Sequence, residues 1–205
     1  MWVLKCDVRK FFDSIDHDML RRLIEKKVVC SDTMRLIDLL FKSFEKEKGK
    51  GLPLGNVTSQ LFANIYLNEL DQFSKHALKA KYYFRYCDDF IILSEDQNWL
   101  IEIMEKIKVF LHVELLLDLH PHKVEIRSIK QGIDFLGYVI LPYMIVLRTR
   151  TKRRIMRKIK ILLGQVNKGL VSETIFHNSI FSYLGLLSHC RERKLESYLK
   201  RFLYK

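Results

Sequence analysis

Residues 82–94 read YYFRYCDDFIILS, two short runs rich in aromatic and β-branched side chains joined by the polar dipeptide Asp88-Asp89. Such runs are strands, and a polar junction between them marks a hairpin, although the glycine that usually relieves the turn is absent here. Paired acids at a turn are most often simply solvated. The flanks point elsewhere: Tyr86, Cys87, Phe90, Ile91 and Ile92 are expected to bury both strands, so the carboxylates emerge at the lip of a packed sheet. A charge in that position is costly unless a cation meets it. A third acid, Asp7, lies near the end of another β-favouring run, WVLKCDV, residues 2–8. If the hairpin lies beside that strand, Asp7 converges with Asp88 and Asp89 although 81 positions separate Asp7 from Asp88. Such a cluster suits two divalent ions about 3.5–4 Å apart, the arrangement that drives in-line attack on phosphorus.

Outward from the hairpin the chain alternates between helical and extended signals. Asp16 is placed to cap a helix carrying Leu20, Leu23, Ile24 and Val28, and Ser31 to cap another through Met34, Ile37, Leu40 and Phe41. KEKGKGLPLGN, residues 46–56, is a polar, glycine-bearing loop, and Phe62, Ile65, Tyr66, Leu70 and Phe73 form one helical face after it. Leu100, Ile103, Met104, Ile107 and Leu111 mark the next helix. Segments near 124–128, 133–141 and 144–148 read as a small antiparallel sheet. From Thr151 the pattern is helical, with Ile155, Ile159, Leu162, Leu163 and Val166 facing a core and Gly169 at a C-terminal cap, followed by helices near 172–188 and 192–203. The class is α+β with a helical appendage.

Composition narrows the function. The 205 residues are 48% apolar and 29% charged with eight Gly and three Pro, which excludes a collagenous, disulfide-stapled or mostly disordered chain. The net charge of +12 is confined to one end. Residues 148–205 hold 15 basic and three acidic side chains, whereas residues 1–147 hold 21 of each sign. A neutral body with a basic tail points to a polyanionic partner, nucleic acid ahead of a membrane surface. No apolar run reaches the roughly 18 residues of a membrane span, and no secretory signal is visible. Cys6, Cys30, Cys87 and Cys190 are scattered, against a zinc finger or disulfide framework and in favour of a reducing cytoplasm. P-loop, HExxH and GxSxG motifs are all missing, so those hydrolytic chemistries have no foothold.

Five blocks occur in a fixed order: DVRKFFDSIDHDML (7–20), GLPLGNVTSQLFANIYLNELDQF (51–73), FRYCDDFIIL (84–93), HPHK (120–123) and IDFLGY (133–138). Together they resemble a prokaryotic reverse transcriptase, the group that includes intron maturases, retron enzymes and the enzymes of diversity-generating retroelements. The resemblance implies a right-hand polymerase palm over 1–147, an antiparallel sheet with helices on one face, and a basic helical thumb over 148–205. It implies that Asp7, Asp88 and Asp89 hold two Mg²⁺ ions, with Mn²⁺ as a substitute, and that Lys123 neutralises or protonates the pyrophosphate leaving group. Phe12 matches the aromatic gate against a ribose 2′-hydroxyl, with core packing as its alternative role. Leu54, Gly55, Asn56, Ser59 and Gln60 match the loop against the template base and nascent pair. Phe135, Leu136, Gly137 and Tyr138 match the primer grip, where core packing is an equal reading for the Phe and Leu.

Intron maturases and retron enzymes usually carry Pro-Gln-Gly in that loop and Ser-Pro further on. Pro53-Leu54-Gly55 and Ser59-Gln60 are instead similar to the diversity-generating enzymes, which implies error-prone copying opposite template adenine and a small basic accessory protein as partner. The implied substrates are an RNA template, a DNA or RNA primer and dNTPs, with no membrane involved. In RTRTKRRIMRKIK, residues 148–160, Arg153, Arg154, Arg157, Lys158 and Lys160 surround an apolar stripe, as expected of a thumb helix that grips duplex phosphates. One departure stands at the front. Family members carry a fingers region before this first strand, and only six residues precede Asp7, so the fingers are expected to be largely missing and the chain alone to polymerise poorly. The alternative function is a non-catalytic, maturase-like RNA-binding protein, against which the three carboxylates and Phe12 argue.

Overall fold

The N-terminal run forms a strand, β1 (Trp2–Asp7), with Val3, Leu4 and Cys6 fully buried. A computed structural model describes residues 1–203, and the chain divides into two compact units, Met1–Arg127 and the part from Ser128 onward. Tyr204 and Lys205, the end of the expected basic segment, lie outside the described residues.

In the first unit β1 leads through the single turn α1 (Phe11–Ser14) to α2 (His17–Glu25), α3 (Ser31–Lys42) and α4 (Val57–Gln72), which ends in a π-helical turn at Phe73–Ala77. The hairpin β2 (Tyr82–Tyr86) and β3 (Asp89–Ser94), the long α5 (Gln97–Glu114) and β4 (Glu125–Ser128) complete it. The strand order is β2-β3-β1-β4, and β3 runs antiparallel to both β1 and β2. Leu4, Cys6, Tyr83, Phe90 and Ile92 fall on one face by the two-residue period and join a single core with Leu20 and Leu23 of α2, Phe62, Tyr66 and Leu70 of α4, and Ile103 and Ile107 of α5. Tyr66 fixes α4 to the end of α5 by donating its hydroxyl to the Leu115 carbonyl at 2.7 Å. Side-chain caps close three helices of this unit, the one expected at Asp16 and two more. Asp16 accepts from the Met19 amide, Asn56 from the Thr58 amide, and Asp96 from the amides of Asn98 and Trp99.

The second unit contains a three-stranded sheet, β5 (Ile133–Phe135), β6 (Tyr138–Leu141) and β7 (Met144–Leu147), followed by α6 (Thr149–Asn167), α7 (Glu173–Leu187) and α8 (Arg193–Lys200). Its core is Leu147, Ile155, Ile159, Phe176, Ile180, Leu187, Leu195 and Leu199. Gly169 takes φ 67° after α6, its amide bonding to Val166 and that of Leu170 to Gln165, so the expected glycine stop is a Schellman motif.

The structure departs from the sequence reading at several points. Residues 125–128 join the first sheet as its edge strand instead of the small sheet, because sheet membership depends on long-range pairing. Ser31 is the first helical residue of α3; Cys30 occupies the cap position and makes no side-chain capping bond. Leu40 and Tyr86 are exposed, at 40% and 61%, and Cys87 is only half-buried, since each lies on the face away from the core. Compactness divides the chain at 127/128, which is a different criterion from the charge boundary at 147/148. The β5–β7 sheet is held to the helices that follow it: the Tyr138 hydroxyl donates to Leu186 O at 3.0 Å, and the Arg191 amide to Ile145 O at 2.8 Å.

Candidate active site

The register of β1 against β3 sets Asp7 directly opposite Asp89. Directly opposed residues of antiparallel strands carry their side chains on one face with Cβ atoms about 4.5–5.5 Å apart. The tip of the hairpin is tied to the same strand end, because the Val8 amide donates to the Asp88 carbonyl at 3.3 Å. Three acids from distant parts of the chain therefore gather where the two central strands end.

Lys123 completes the cluster. Its ammonium donates to both carboxylate oxygens of Asp7, each at 3.0 Å. The HPHK segment sets this up by its backbone: the His120 amide donates to the Asp7 carbonyl at 2.8 Å, and the Lys123 amide to His120 O at 3.1 Å. Asp7 is only 9% exposed, so the partner is needed. The hydrogen bond to Asp7 raises the Lys123 pKa above that of an ordinary lysine, with the charges of Asp7, Asp89 and Asp88 adding to it. Burial raises the Asp88 carboxyl, and the charges of Asp7 and Asp89 push it further in the same direction. One ammonium thus faces three carboxylates, and the excess negative charge is what a divalent cation would relieve. Carboxylate oxygens are hard donors of the type Mg²⁺ selects. In the side-chain positions seen here, no three His, Cys, Asp or Glu residues among the described residues form a ready ligand set for one ion.

Other expected site residues fall in two groups. In the first unit, Phe12 lies in α1 against the core, its ring 5.4 Å from that of buried Phe11 and its carbonyl accepting from the Leu52 amide at 2.7 Å. The α1 turn and the loop before α4 are thereby joined. In that loop Leu54 is 76% exposed, Gly55 takes φ 88°, Asn56 caps α4, Ser59 is buried in the helix and Gln60 is exposed. In the second unit Phe135 is buried, Leu136 and Gly137 form a turn with φ 52° and 87°, and Tyr138 is half-buried. Arg153, Arg154, Arg157, Lys158 and Lys160 are all exposed on α6, whose buried stripe narrows to Ile155 and Ile159. Arg148 and Arg150, which the sequence reading did not single out, line a cavity of about 840 Å³ with Arg153, Arg154 and Arg157.

The sequence reading also missed a polar network behind the hairpin. Asp71 of α4 takes two bonds from Arg85, to Nε at 2.7 Å and Nη2 at 2.5 Å, and a third from the Tyr83 hydroxyl at 2.7 Å. Arg85 Nη1 donates to the Cys87 carbonyl at 3.1 Å and to Asn64 Oδ1 at 3.3 Å. Burial works against the Arg85 charge, but the hydrogen bonds and charge of Asp71 outweigh it and leave the guanidinium more firmly protonated. A charged residue on the core-facing side of a strand was the available signal.

The family model described as Reverse transcriptase (RNA-dependent DNA polymerase) matches residues 1–140. The chain belongs to the reverse transcriptase family. It is 26% identical over 181 residues to protein YkfC of Escherichia coli, covering 68% of this chain and 47% of that protein. It is 29% identical over 210 residues to the group II intron-encoded protein LtrA of Lactococcus lactis, covering 68% of this chain and 35% of LtrA. The chain thus spans less than half the length of either relative. Among solved structures, the foamy viral protease-reverse transcriptase in complex with RNA/DNA hybrid superposes with a TM-score of 0.52 at 17% identity, over 98% of this chain and 27% of that one. The fold is the α+β fold of reverse transcriptases. Among the described residues no helix is long and apolar enough to cross a membrane.

Proposed function

We propose that this chain is the palm and thumb of an RNA-directed DNA polymerase that adds dNTPs to a primer 3′-hydroxyl on an RNA template. The observation that carries this reading is the alignment of Asp7 with Asp89 beside Asp88, with Lys123 on Asp7. Asp7, Asp88 and Asp89 would hold two Mg²⁺, or Mn²⁺ in their place; bound there, such ions lower the pKa of the primer hydroxyl and neutralise charge developing at phosphorus. Lys123 stands at the rim, 54% exposed and firmly protonated, which suits it to neutralise departing pyrophosphate through a charge-assisted hydrogen bond more than to give up its proton. Phe12 restricts the sugar position, and the loop from Leu54 to Gln60 meets the template base and nascent pair. Phe135–Tyr138 hold the primer end, while the exposed basic face of α6 binds backbone phosphates, whose contacts position a duplex without reading its sequence.

The finer assignment is to the diversity-generating type, cytoplasmic and served by a small basic accessory protein. Leu54 and Gln60 support it, both being exposed where an amide and a proline are usual. An alkyl chain in place of a hydrogen-bonding amide loosens discrimination at the nascent pair. Leu54→Gln is expected to lower misincorporation opposite template adenine.

The deciding experiment is extension of a labelled DNA primer on an RNA template, with Asp88→Asn as control, beside anisotropy titrations of an RNA–DNA hybrid against salt. Extension that needs dNTPs and Mg²⁺ and is lost in Asp88→Asn supports the reading. Contact with about six to eight phosphates predicts a log–log salt slope of roughly −4 to −7. Hybrid binding with no extension would favour the maturase-like RNA binder instead.

A further inference from the structure

We infer that Arg85 is a positioning residue that sets the reach of Asp88 by gripping the carbonyl immediately before it, and that Asp71 and Tyr83 hold Arg85 for that task. Cys87 has φ 51°, a left-handed conformation in which a residue with a Cβ needs outside support. Its carbonyl points to Arg85 Nη1 at 3.1 Å. The guanidinium cannot swing away, because Nε and Nη2 are both committed to Asp71 and the side chain is only 10% exposed. The Tyr83 hydroxyl in turn fixes the shared Asp71 oxygen at 2.7 Å. Asp71 and Asn64 are seven positions apart on α4 and so present one face to the guanidinium. The path is short: α4 to Asp71, Asp71 to Arg85, Arg85 to Cys87 O, and Cys87 through one peptide bond to Asp88. The tip is held from its other side by the Val8 amide on Asp88 O.

An arginine is required for this arrangement. Lysine keeps the charge but has no planar fork, so it cannot engage both Asp71 oxygens and the Cys87 carbonyl in the same fixed geometry. The catalytic meaning of the clamp rests on the proposed role of Asp88, whereas its mechanical effect does not.

The test uses the whole chain with Arg85→Gln, Arg85→Lys and Asp71→Asn, and with Ile107→Val as a core variant remote from this polar network. Amide exchange is followed at 87–90 and at 91–93, and Mn²⁺ binding by the paramagnetic resonance of the free ion. In Arg85→Gln exchange at 87–90 is expected to rise roughly tenfold relative to 91–93, with Mn²⁺ binding weakened about fivefold or more. Arg85→Lys should recover only part of both, and Asp71→Asn should lie between it and Arg85→Gln. Ile107→Val should leave the ratio of tip to strand exchange unchanged. If Arg85→Gln does not fold, Arg85→Lys and Asp71→Asn decide by the same ratio. Tip exchange and Mn²⁺ affinity matching those of Ile107→Val would overturn the inference. A wild-type chain that binds no Mn²⁺ overturns the two-metal reading instead, and the exchange ratio then judges the clamp alone.

Discussion

The β2–β3 and β5–β6 hairpins each turn in two residues, and each leads with a non-glycine residue in the left-handed region, Cys87 at φ 51° and Leu136 at φ 52°. What supports the two turns differs. At the second, Gly137 takes φ 87° without strain, and its carbonyl accepts from the Arg148 amide at 3.1 Å, a backbone contact at the start of α6. The first has Asp88 in that second position and is held by a side-chain clamp from a helix. An unfavourable turn conformation costs about 1–3 kcal/mol and survives where the surroundings over-determine it. In the first hairpin those surroundings are fully buried Phe90 and Ile92 and the Arg85–Asp71 pair; in the second they are a half-buried sheet with Leu136 exposed. The difference lies at the turns themselves: the one that carries the carboxylates is gripped at its own carbonyl by a side chain anchored on a helix, whereas the Leu136-Gly137 turn is gripped by a backbone amide and its side-chain contacts lie on the flanking strands.

This contrast can be broken or sharpened by measurement. The largest effect is expected at the tips themselves. Asp88→Asn should lower Mg²⁺-dependent nucleotide addition by about 10³-fold, a loss of the size that follows removal of one charge-stabilising group from an acyl-transfer site. Leu136→Ala should lower it far less, and comparable losses in single-nucleotide incorporation would erase the functional difference between the hairpins. Next come the strands. Ile92→Ala, which opens a cavity in the main core, should cost about 3 kcal/mol in urea unfolding. Ile140→Ala on half-buried β6 should cost about 1 kcal/mol, and equal costs would mean the second sheet is as firmly anchored as the first.

Smaller effects test the turns. Leu136→Asn places Asn-Gly, the preferred pair for a turn with two left-handed residues, and should stabilise the chain by about 0.5–1 kcal/mol in the same titration. A loss would show that Leu136 makes a contact that outweighs its strain. The smallest effect concerns the thiol at the first tip. Burial, with the charges of Asp88 and Asp89, raises the Cys87 pKa, whereas the Thr33 side chain and the amides of Thr33 and Asp32 lower that of exposed Cys30. No capping bond to Cys30 is formed, and the polar groups of Thr33 and Asp32 beside its exposed thiol favour the thiolate by proximity alone, so Cys30 should be alkylated first between pH 6 and 8 and Cys87 later. Cys6, pushed up to about 12 by burial, should react only on unfolding. Peptide mapping of a labelling time course checks the order.

Much of the candidate site was legible before any coordinates. Asp88-Asp89 between two β-favouring runs announced a hairpin, Asp7 ended an apolar strand, and Asp16 stood where a helix begins. The family blocks tied these together and added Lys123. The Arg85–Asp71–Tyr83 network was only half legible, because Arg85 on the core-facing side of a strand signals that a partner is needed, whereas Asp71 looks like any polar residue late in a helix. Nor was the placement of residues 125–128, since a four-residue strand carries no mark of which sheet it will join.

Most element types, the Asp16 cap, the Gly169 stop and the charge division between residues 1–147 and 148–205 follow from sequence alone, because periodicity, capping and composition are local properties of the chain. Tertiary structure alone decided that Asp7 faces Asp89, that Lys123 reaches Asp7 from 116 positions away, and that Arg85 holds Cys87. Buried charges must find partners, and which partner lies within reach depends on strand register and helix packing rather than on any neighbouring residue.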